Sequence, residues 1–445
     1  MSQPSEAFKN ALRIPELKGR IIFSLVMLAV YRLGCHVPAP GVDGAALAEK
    51  VRKSGGGILG FYDLFTGGAF TNATVFALGI MPYITASIVL SLLIPVIPQL
   101  EQLQKSGAEG QRKITDYTRY GTIALCIFQS IGTAYYLQGQ GPSVVPNPGI
   151  WFILLCIVTF TTGTAFIMWV GEQITEHGLG NGMSLIIFIG ICAQMPTAFG
   201  HVISMLGNQQ INIFQVIILL MILVVVVAGA IWVTTGQRRI PVQYPRAVKG
   251  RRVSGGQRTY LPLRVNQAGV IPIIFASSIL MLPGMIANAV SWDWLSASLH
   301  AISDINAITH NVLYVVLIIF FSFFYTAITF NPVEMAENMK KYGGVIIGVR
   351  PGKATAEYLQ GVMTRVTLAG GVFLALVALL PMLIFSLLKI NDWLIVHFFG
   401  GTTLLIMVGV ALDTVKQIEQ HLIMRHYDGF GGKTGGRIRG RRGFN

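Results

Sequence analysis

Long apolar runs without a single charged side chain dominate the hydrophobic pattern of this 445-residue chain. Residues 213–235, 268–292 and 310–333 are three of these runs. Each is long enough to cross a hydrocarbon core about 30 Å thick as a helix of about 20 residues. Because lipid cannot hydrogen-bond the peptide backbone, the runs are predicted to be α-helices.

Ten membrane-spanning helices are predicted from the whole pattern, which makes the chain an all-α polytopic membrane protein. The spans are expected near residues 20–38, 74–94, 118–138, 150–171, 182–200, 213–234, 268–290, 310–331, 364–388 and 394–413. A cytoplasmic N-tail (1–19), a first half (20–200), a second half (201–413) and a basic cytoplasmic C-tail (414–445) complete the predicted organisation.

The distribution of Lys and Arg orients these spans. With the N-terminus in the cytoplasm, 28 of the 33 Lys and Arg residues fall in cytoplasmic segments and four fall in outer segments. The remaining one, Arg32, lies near the outer end of the first span. Positive charge concentrates on the cytoplasmic side of membrane proteins, so both termini are predicted to be cytoplasmic.

Few side chains that could perform chemistry lie in the spans. Charged residues make up 12% of the chain, against about 25% in soluble domains. The sequence contains no HExxH pair, no GxxxxGK[ST] loop and no cysteine pair with metal or redox spacing. A secondary transporter needs ionisable groups at mid-membrane, and a membrane-bound transferase needs a cluster of carboxylates or histidines. We therefore expect no enzyme, and no catalytic, cofactor-binding or metal-binding residues.

An internal echo relates the two halves of the chain. Residues 79–90 and 269–280 share Gly, Pro, Ile, Ala, Ser and Leu in register. These are the second and seventh of ten predicted spans, and five spans in each half imply two halves of inverted topology. A functional path between the halves would follow. A chance match of two apolar, proline-containing helices is the alternative.

The segment 55–73 is Gly-rich, half apolar and too short to cross the membrane. It is expected on the outer side, broken at Gly67-Gly68, with Thr71-Asn72 offering an N-cap to the next helix. One interpretation is a helix lying on the membrane surface. The other is a re-entrant half-helix buried in protein, where it would block a pathway.

Two long cytoplasmic loops carry most of the functional signal outside the membrane. Loop 235–267 holds eight Lys and Arg residues and no acid, and the alternation at Ile240, Val242 and Tyr244 predicts a short hairpin. In loop 332–363, Arg350 precedes a Pro-Gly turn. Topology and attraction to anionic lipid would explain scattered basic residues. Such a density of them favours docking of a polyanion or an acidic partner.

Seven motifs, in order along nearly the whole chain, resemble the SecY family, the central subunits of the bacterial protein-conducting channel. They are FALGIMPYITASI (76–88), GEQITEHGLGNGMSLIIF (171–188), RRIPVQY (238–244), AGVIPIIFASSIL (268–280), FYTAITFNPVEMAENMKK (324–341), RPGKATAEYL (350–359) and FGGTTLLIMVGVALD (399–413).

The resemblance implies two inverted five-helix halves around an hourglass pore in the bacterial plasma (inner) membrane. The protein would pass unfolded secretory polypeptides across and release membrane segments sideways into lipid. It would be driven by the SecA ATPase or by the translating ribosome, with SecE and SecG as small membrane subunits. Signal sequences, unfolded client polypeptides and membrane lipids would be its other partners.

The resemblance also assigns roles to residues. A re-entrant half-helix near 60–72 would be the plug, with Phe61, Leu64, Phe65, Gly67 and Gly68. The pore ring would be Ile80, Ile84, Met183, Ile187, Ile274 and Ile406. The polar groups of the lateral gate, formed by spans two and three against seven and eight, would be Ser87, Gln129, Ser277 and Ser278. Docking of SecA or the ribosome would use Arg238, Arg239, Arg246, Lys249, Arg251, Arg252 and Arg350.

Two positions depart from the family pattern. Isoleucine is usual where Met183 stands, and because Met is flexible and of similar bulk the ring is still expected to seal. A proline is usual where Ile347 stands, which puts the rigidity of the loop before Arg350 in question.

Overall fold

The computed structural model describes residues 14–53, 63, 65–244, 246–249, 252–255, 258–287, 299, 302, 307–388, 395 and 398–431. Each of the ten predicted spans coincides with a helix in this part of the chain. These helices are α1 (Pro15–Gly34), α3 (Met81–Leu93), α5 (Ala108–Gly139), α6 (Ile150–His177), α7 (Gly182–Gly207), α8 (Ile213–Thr235), α9 (Ile271–Ala287), α10 (Ile308–Thr329), α12 (Lys353–Leu388) and α13 (Gly401–Gly431). Shorter helices connect them: α2 (Gly44–Lys53), α4 (Pro98–Lys105) and α11 (Pro332–Lys341).

Length and apolar composition single out six helices of the described chain as long enough to cross a membrane. Helices α3 and α4, which meet at a bend of 100°, bring the number to seven if they form one span. The other predicted spans are helical but shorter or more polar: α9 is a short apolar helix, and α1 and α5 include several charged side chains. Pro at the first turn starts α1, α3 and α4, where its missing N–H costs nothing.

The repeated motif builds the same local structure twice. Gly79 and Gly269 both adopt a positive φ, +55° and +62°. Two residues after each glycine a span begins, α3 at Met81 and α9 at Ile271. Because this backbone conformation favours glycine, the shared glycine has a structural reason in both halves, and the echo is not a chance match.

The two halves meet along two seams. Helix α3 of the first half packs against α9 of the second, so the two copies of the motif face each other. Helix α7 packs against α13 on a second line of contact. Within the halves, α5 packs against α3 and α6, and α10 packs against α9 and α12.

The start of the second span differs from its prediction. Helix α3 begins at Met81, seven residues later than expected, because residues 67–80 form turns and Gly79 interrupts any helix. The break at Gly67-Gly68 is confirmed, with φ of +68° and +89°. The predicted N-cap at Thr71-Asn72 is wrong: the Thr71 hydroxyl donates to the Asp63 carboxylate (2.8 Å), and the Asn72 amide donates to the Gly68 carbonyl (2.9 Å).

The basic loop folds into two small sheets. Strand β1 (Gln237–Gln243) pairs antiparallel with β4 (Arg258–Arg264) and with β5 (Val345–Ile346). Strands β2 (Arg246–Lys249) and β3 (Arg252–Gly255) form the hairpin beyond them. The predicted alternation holds at Ile240 and Val242, which are buried, whereas Tyr244 is exposed.

A small core anchors these strands to the helices that follow. Ile240 and Val242 pack with Met339 of α11 and with Leu359 and Met363 of α12. Since β5 and α11 come from loop 332–363, both long loops form one body. At the other end of the chain, α13 continues to Gly431, well into the predicted C-tail.

A bidentate ion pair ties α5 to α6. Arg119 Nε lies 2.8 Å from Glu172 Oε1, and Arg119 Nη2 lies 2.7 Å from Glu172 Oε2. Asp116 Oδ1 accepts a third bond from Arg119 Nη1 at 2.9 Å. A planar guanidinium held by two carboxylates is a rigid connection, and it fixes the spacing of these two spans at one end.

Breaking this pair is expected to destabilise the fold by about 1 kcal/mol, because both partners are partly exposed. Arg119→Met and Glu172→Gln should each lower unfolding stability in detergent, and the double variant should lose little more than either single one. Lys105 and Glu101, an exposed pair on α4, provide the control. Equal coupling energies for the two pairs, measured in a double-mutant cycle, would contradict the expectation.

Candidate functional site

The six candidate ring residues are all buried and belong to one hydrophobic cluster. Met183 is the most accessible at 9%, and Ile406 is fully buried. They come from α7, α9, α13 and the start of α3, so both halves of the chain contribute. A cluster of aliphatic side chains across the seams offers no hydrogen-bond partner to water or to an ion.

Local structure fixes two of these side chains at the start of α7. Asn181 caps that helix by accepting from the backbone N–H groups of Met183 (3.1 Å) and Ser184 (3.3 Å). A Cβ on Gly171 would collide with the Met183 sulfur. The absence of a side chain at Gly171 therefore provides the space in which Met183 packs. Ile187 follows one turn later on the same face.

On the other elements the ring residues lie close to the starts of helices. Ile80 is the N-cap of α3, and Ile84 donates its N–H to the Ile80 carbonyl (3.1 Å). Ile274 makes the same kind of bond to Val270 at the start of α9 (3.2 Å). The repeated motif therefore presents Ile84 and Ile274 at equivalent positions in the two halves.

The described part of the candidate plug, residues 60–72, is wedged between α1 and α7. Phe65 is buried, and Gly67 approaches Gly190 of α7 so closely that a Cβ on Gly67 would lie 2.9 Å from the Gly190 Cα. Arg32 Nη1 donates to the Gly67 carbonyl at 2.9 Å. Phe61 and Leu64 lie outside the described residues. The segment is embedded in protein, so it is not a helix resting on the membrane surface.

One carboxylate lies inside this segment. Asp63 is 3% exposed, and burial raises the pKa of its carboxyl above the ordinary value. Hydrogen bonds from Thr71 and from the amide of Gln194 act in the opposite direction and favour the ionised form. Sequence reasoning missed both Asp63 and Gln194, although a carboxylate in an otherwise apolar stretch was a visible signal.

The candidate gate residues lie on the seam of α3 and α9 and on α5, which packs against α3. Ser277 and Ser278 are buried and donate to carbonyls of their own helix, at 2.7 to 3.0 Å. Ser87 is half-buried. Gln129 is buried, and within the described chain its Oε1 accepts no hydrogen bond.

A polar cavity of about 320 Å³ opens at the starts of α7 and α9. Its walls mix charged, amide and hydroxyl groups with the ends of the ring-bearing helices. They include Ser184, Arg264, Asn266, Asp413, Lys416 and Gln417. Three of its lining residues, Gly269, Val270 and Ile271, belong to the repeated motif at the start of α9. Sequence analysis did not predict the cavity, because its lining residues come from five separate segments.

The candidate docking residues are exposed where the structure describes their side chains. Arg238 and Arg239 lie on β1, and Arg350 lies beside the Pro-Gly turn with its carbonyl accepting from the Thr355 hydroxyl at 2.8 Å. The structure describes only the backbone of three others, which belong to the β2–β3 hairpin, namely Arg246, Lys249 and Arg252. Arg251 lies outside the described residues.

The turn before Arg350 is closed without the proline usual in the family. Ile347 is exposed, and Val349 donates its N–H to the Ile346 carbonyl across it (3.1 Å). Gly348 supplies a positive φ of +84°. Among the described residues, no group of His, Cys, Asp and Glu side chains could hold a metal ion.

Comparison with known proteins agrees with this architecture. The SecY family model matches residues 74–415. The protein translocase subunit SecY of Streptomyces scabiei is 46% identical over 440 residues, covering 95% of this chain and 99% of the relative. A solved structure described as a protein conducting channel superposes with a TM-score of 0.66 at 17% identity, covering 95% of this chain and 98% of that one.

A second solved structure, Sec61 in the canine ribosome-channel complex from the endoplasmic reticulum, gives a TM-score of 0.61 at 16% identity and covers 95% and 98% of the two chains. At these identities the structures support the fold, while the family match rests on sequence. With its paired motif, buried aliphatic cluster and full-length similarity, this chain belongs to the SecY family.

Proposed function

We propose that this chain is the pore-forming subunit of a protein translocase, a passive channel for unfolded polypeptides. One observation carries the proposal: the six aliphatic side chains of the candidate ring come from both halves, and all of them are buried in the large hydrophobic core that the two halves share. A polypeptide would enter through the cavity and pass the ring. It would leave on the opposite side after displacing the plug.

The ring performs two tasks through the same chemistry. Aliphatic side chains repel water, so a narrow empty pore stays dry and an ion meets a desolvation barrier of many kcal/mol. They also offer no hydrogen-bond partner, so a sliding chain of any sequence is not held. Sealing and indifference to sequence both follow from the absence of polar groups.

The seam of α3 and α9 is the proposed lateral gate. Its contact is made by two short apolar helices rather than by ion pairs. Apolar contacts between spans gain little over contacts with lipid tails. A hydrophobic signal sequence could therefore replace one side of the seam at small cost in free energy, and a membrane segment could leave by the same route.

The energy for transport would come from outside this chain. The proposed drivers are the SecA ATPase and the translating ribosome, docking on the body formed by the two basic loops, and SecE and SecG are the proposed small subunits. One solved relative of this fold is a ribosome-bound channel. The Lys and Arg distribution supports a plasma-membrane protein with both termini in the cytoplasm.

Hydrating the ring tests the proposed function directly. Changing Ile84, Ile187 and Ile406 together to Asn should raise the resting ion conductance in planar bilayers at least about tenfold, because polar groups remove the dewetting barrier. Export of a client with a weakened signal sequence should also rise. Ordinary packing residues would instead give poor expression and reduced export without any leak.

A matched control places the same polarity elsewhere on the same helices. Val89, Met195 and Val415 are accessible side chains of α3, α7 and α13. Their triple change to Asn should leave the resting conductance at the wild-type level. A leak of equal size in both triple variants would refute the assignment of the ring.

Reversing the charge of Arg350 should reduce SecA-driven export about tenfold or more without unfolding the protein. Arg recognises a carboxylate or phosphate with two parallel hydrogen bonds, so Arg350→Glu removes an attraction and adds a repulsion. ATP-dependent export into vesicles is the measurement. Lys353→Glu, an equal charge change three residues away at an exposed position, should have little effect. Normal export by Arg350→Glu would overturn the role.

Binding of ribosomes to the basic hairpin should weaken steeply with salt through counterion release. Six phosphate contacts correspond to a loss of about a thousandfold in affinity between about 50 and about 200 mM salt. Reversing Arg246, Lys249, Arg251 and Arg252 to Glu should flatten this dependence. A variant with four other exposed cytoplasmic residues reversed, Lys18, Lys105, Arg112 and Lys113, controls for net charge. A flat response in the wild type would contradict the prediction.

A further inference from the structure

Segment 63–71 is a closed turn built around one carboxylate. Asp63 Oδ1 accepts from the Thr71 N–H at 2.9 Å, and Asp63 Oδ2 accepts from the Thr71 hydroxyl at 2.8 Å. The Asp63 carbonyl accepts from the Gly68 N–H at 3.0 Å. These bonds hold the described residues of the turn in one shape.

Two spans contact this turn through hydrogen bonds to its backbone carbonyls. From α7, Gln194 Nε2 donates to the Asp63 carbonyl at 3.0 Å and reaches the Asp63 carboxylate at 3.4 Å. From α1, Arg32 donates to the Gly67 carbonyl, and the Tyr31 hydroxyl donates to the Thr66 carbonyl at 3.3 Å. Each contact links residues that are 35 or 131 positions apart in sequence.

The contact from α7 is energetically important because the groups that make it are buried. Gln194 is 8% exposed and Asp63 is 3% exposed, so water has little access to either side chain while the segment packs against α7. A buried acceptor that loses its donor pays the full cost of desolvation. When the segment moves away from α7, water can hydrogen-bond the same groups, and the desolvation cost disappears. The amide therefore stabilises the seated state specifically.

The contacts made by Arg32 and by Gln194 depend on different features of the segment. Arg32 bonds a single backbone carbonyl, and it is also placed to interact with the neighbouring Tyr31 and Cys35 side chains. Gln194 bonds the backbone and the carboxylate of the residue that closes the turn. Its contact therefore depends on both the position and the shape of the segment.

We propose that Gln194 is the positioning residue that sets the opening threshold of this channel, by holding the turn of Asp63 against α7. The inference rests on the proposed function, in which residues 60–72 are the plug. A signal sequence opens the channel only if its binding outweighs this contact. Gln194 thereby determines how strong a signal sequence must be for its polypeptide to be accepted.

The test replaces the amide while keeping the size of the side chain. Gln194→Met removes the donor and should raise the resting open frequency in planar bilayers about tenfold, the equivalent of one buried hydrogen bond. The export of a weak-signal client relative to a strong-signal client should rise by a similar factor. Gln194→Glu, which adds a carboxylate beside Asp63, should raise both further.

A rescue separates this role from a general packing defect. Asp63→Asn combined with Gln194→Glu exchanges donor and acceptor, and it should restore part of the closed state that Gln194→Glu alone has lost. Gln210→Met changes an exposed glutamine just beyond α7 and should leave both readouts at wild-type values. A misfolded variant would lose export of both clients equally.

The outcomes distinguish the inference from the proposed function. Wild-type conductance and wild-type client preference in a well-expressed Gln194→Met protein would overturn the role of Gln194 and leave the channel intact. Failure of the rescue, with an equal leak in both Gln194→Glu proteins, would also count against it. A reconstituted wild-type protein with its motor that exports no client at all would refute the proposed function instead.

Discussion

Lipid offers no hydrogen-bond partner to a peptide group, and the architecture of this chain follows from that constraint. Ten spans satisfy it as helices. The one extended departure in the described chain, the turns of residues 67–80, satisfies it by contacts inside the protein: Ala39 donates to the Ala73 carbonyl (2.8 Å) and Val75 donates to the Val37 carbonyl (3.0 Å). Irregular backbone can therefore lie between α1 and α7 only because protein surrounds it.

A second property of lipid explains where glycine occurs at the contacts between spans. A Cβ on Gly163 would overlap the Val75 carbonyl, one on Gly182 would overlap the Gly171 carbonyl, and one on Gly401 would overlap the Val377 carbonyl. In a membrane, helices associate by close van der Waals packing because water exclusion is absent. Small residues at these contacts bring the spans together tightly.

Two kinds of contact would act together in the proposed closed channel. In the proposed channel, the aliphatic cluster would exclude ions and would not hold a passing polypeptide, since it contains no directed bond. The polar contacts of residues 63–71 are few, directed and buried, so each one matters. An arrangement of this kind can seal against ions through the first kind of contact and remain responsive to a signal through the second.

The sequence by itself determined the spans and the repeat, and the assignment of the ring stays a prediction. Long uncharged runs have a single solution in lipid, and the glycine of the repeated motif requires the same backbone turn in both halves. The hairpin of loop 235–267 followed from alternation. These features depend on local chemistry or on a period that is visible along the chain.

Only the tertiary structure decided the rest. The contact from Gln194 to Asp63 joins groups 131 positions apart in sequence. The late start of α3 and the turn closed by Asp63 and Thr71 are local in sequence, but that turn is buried only because α1 and α7 lie beside it. Thr71 is a good helix cap by propensity, yet its hydroxyl donates to the buried carboxylate of Asp63 instead. Propensity describes one residue and its neighbours, whereas the satisfaction of a buried polar group depends on which spans the fold brings beside it.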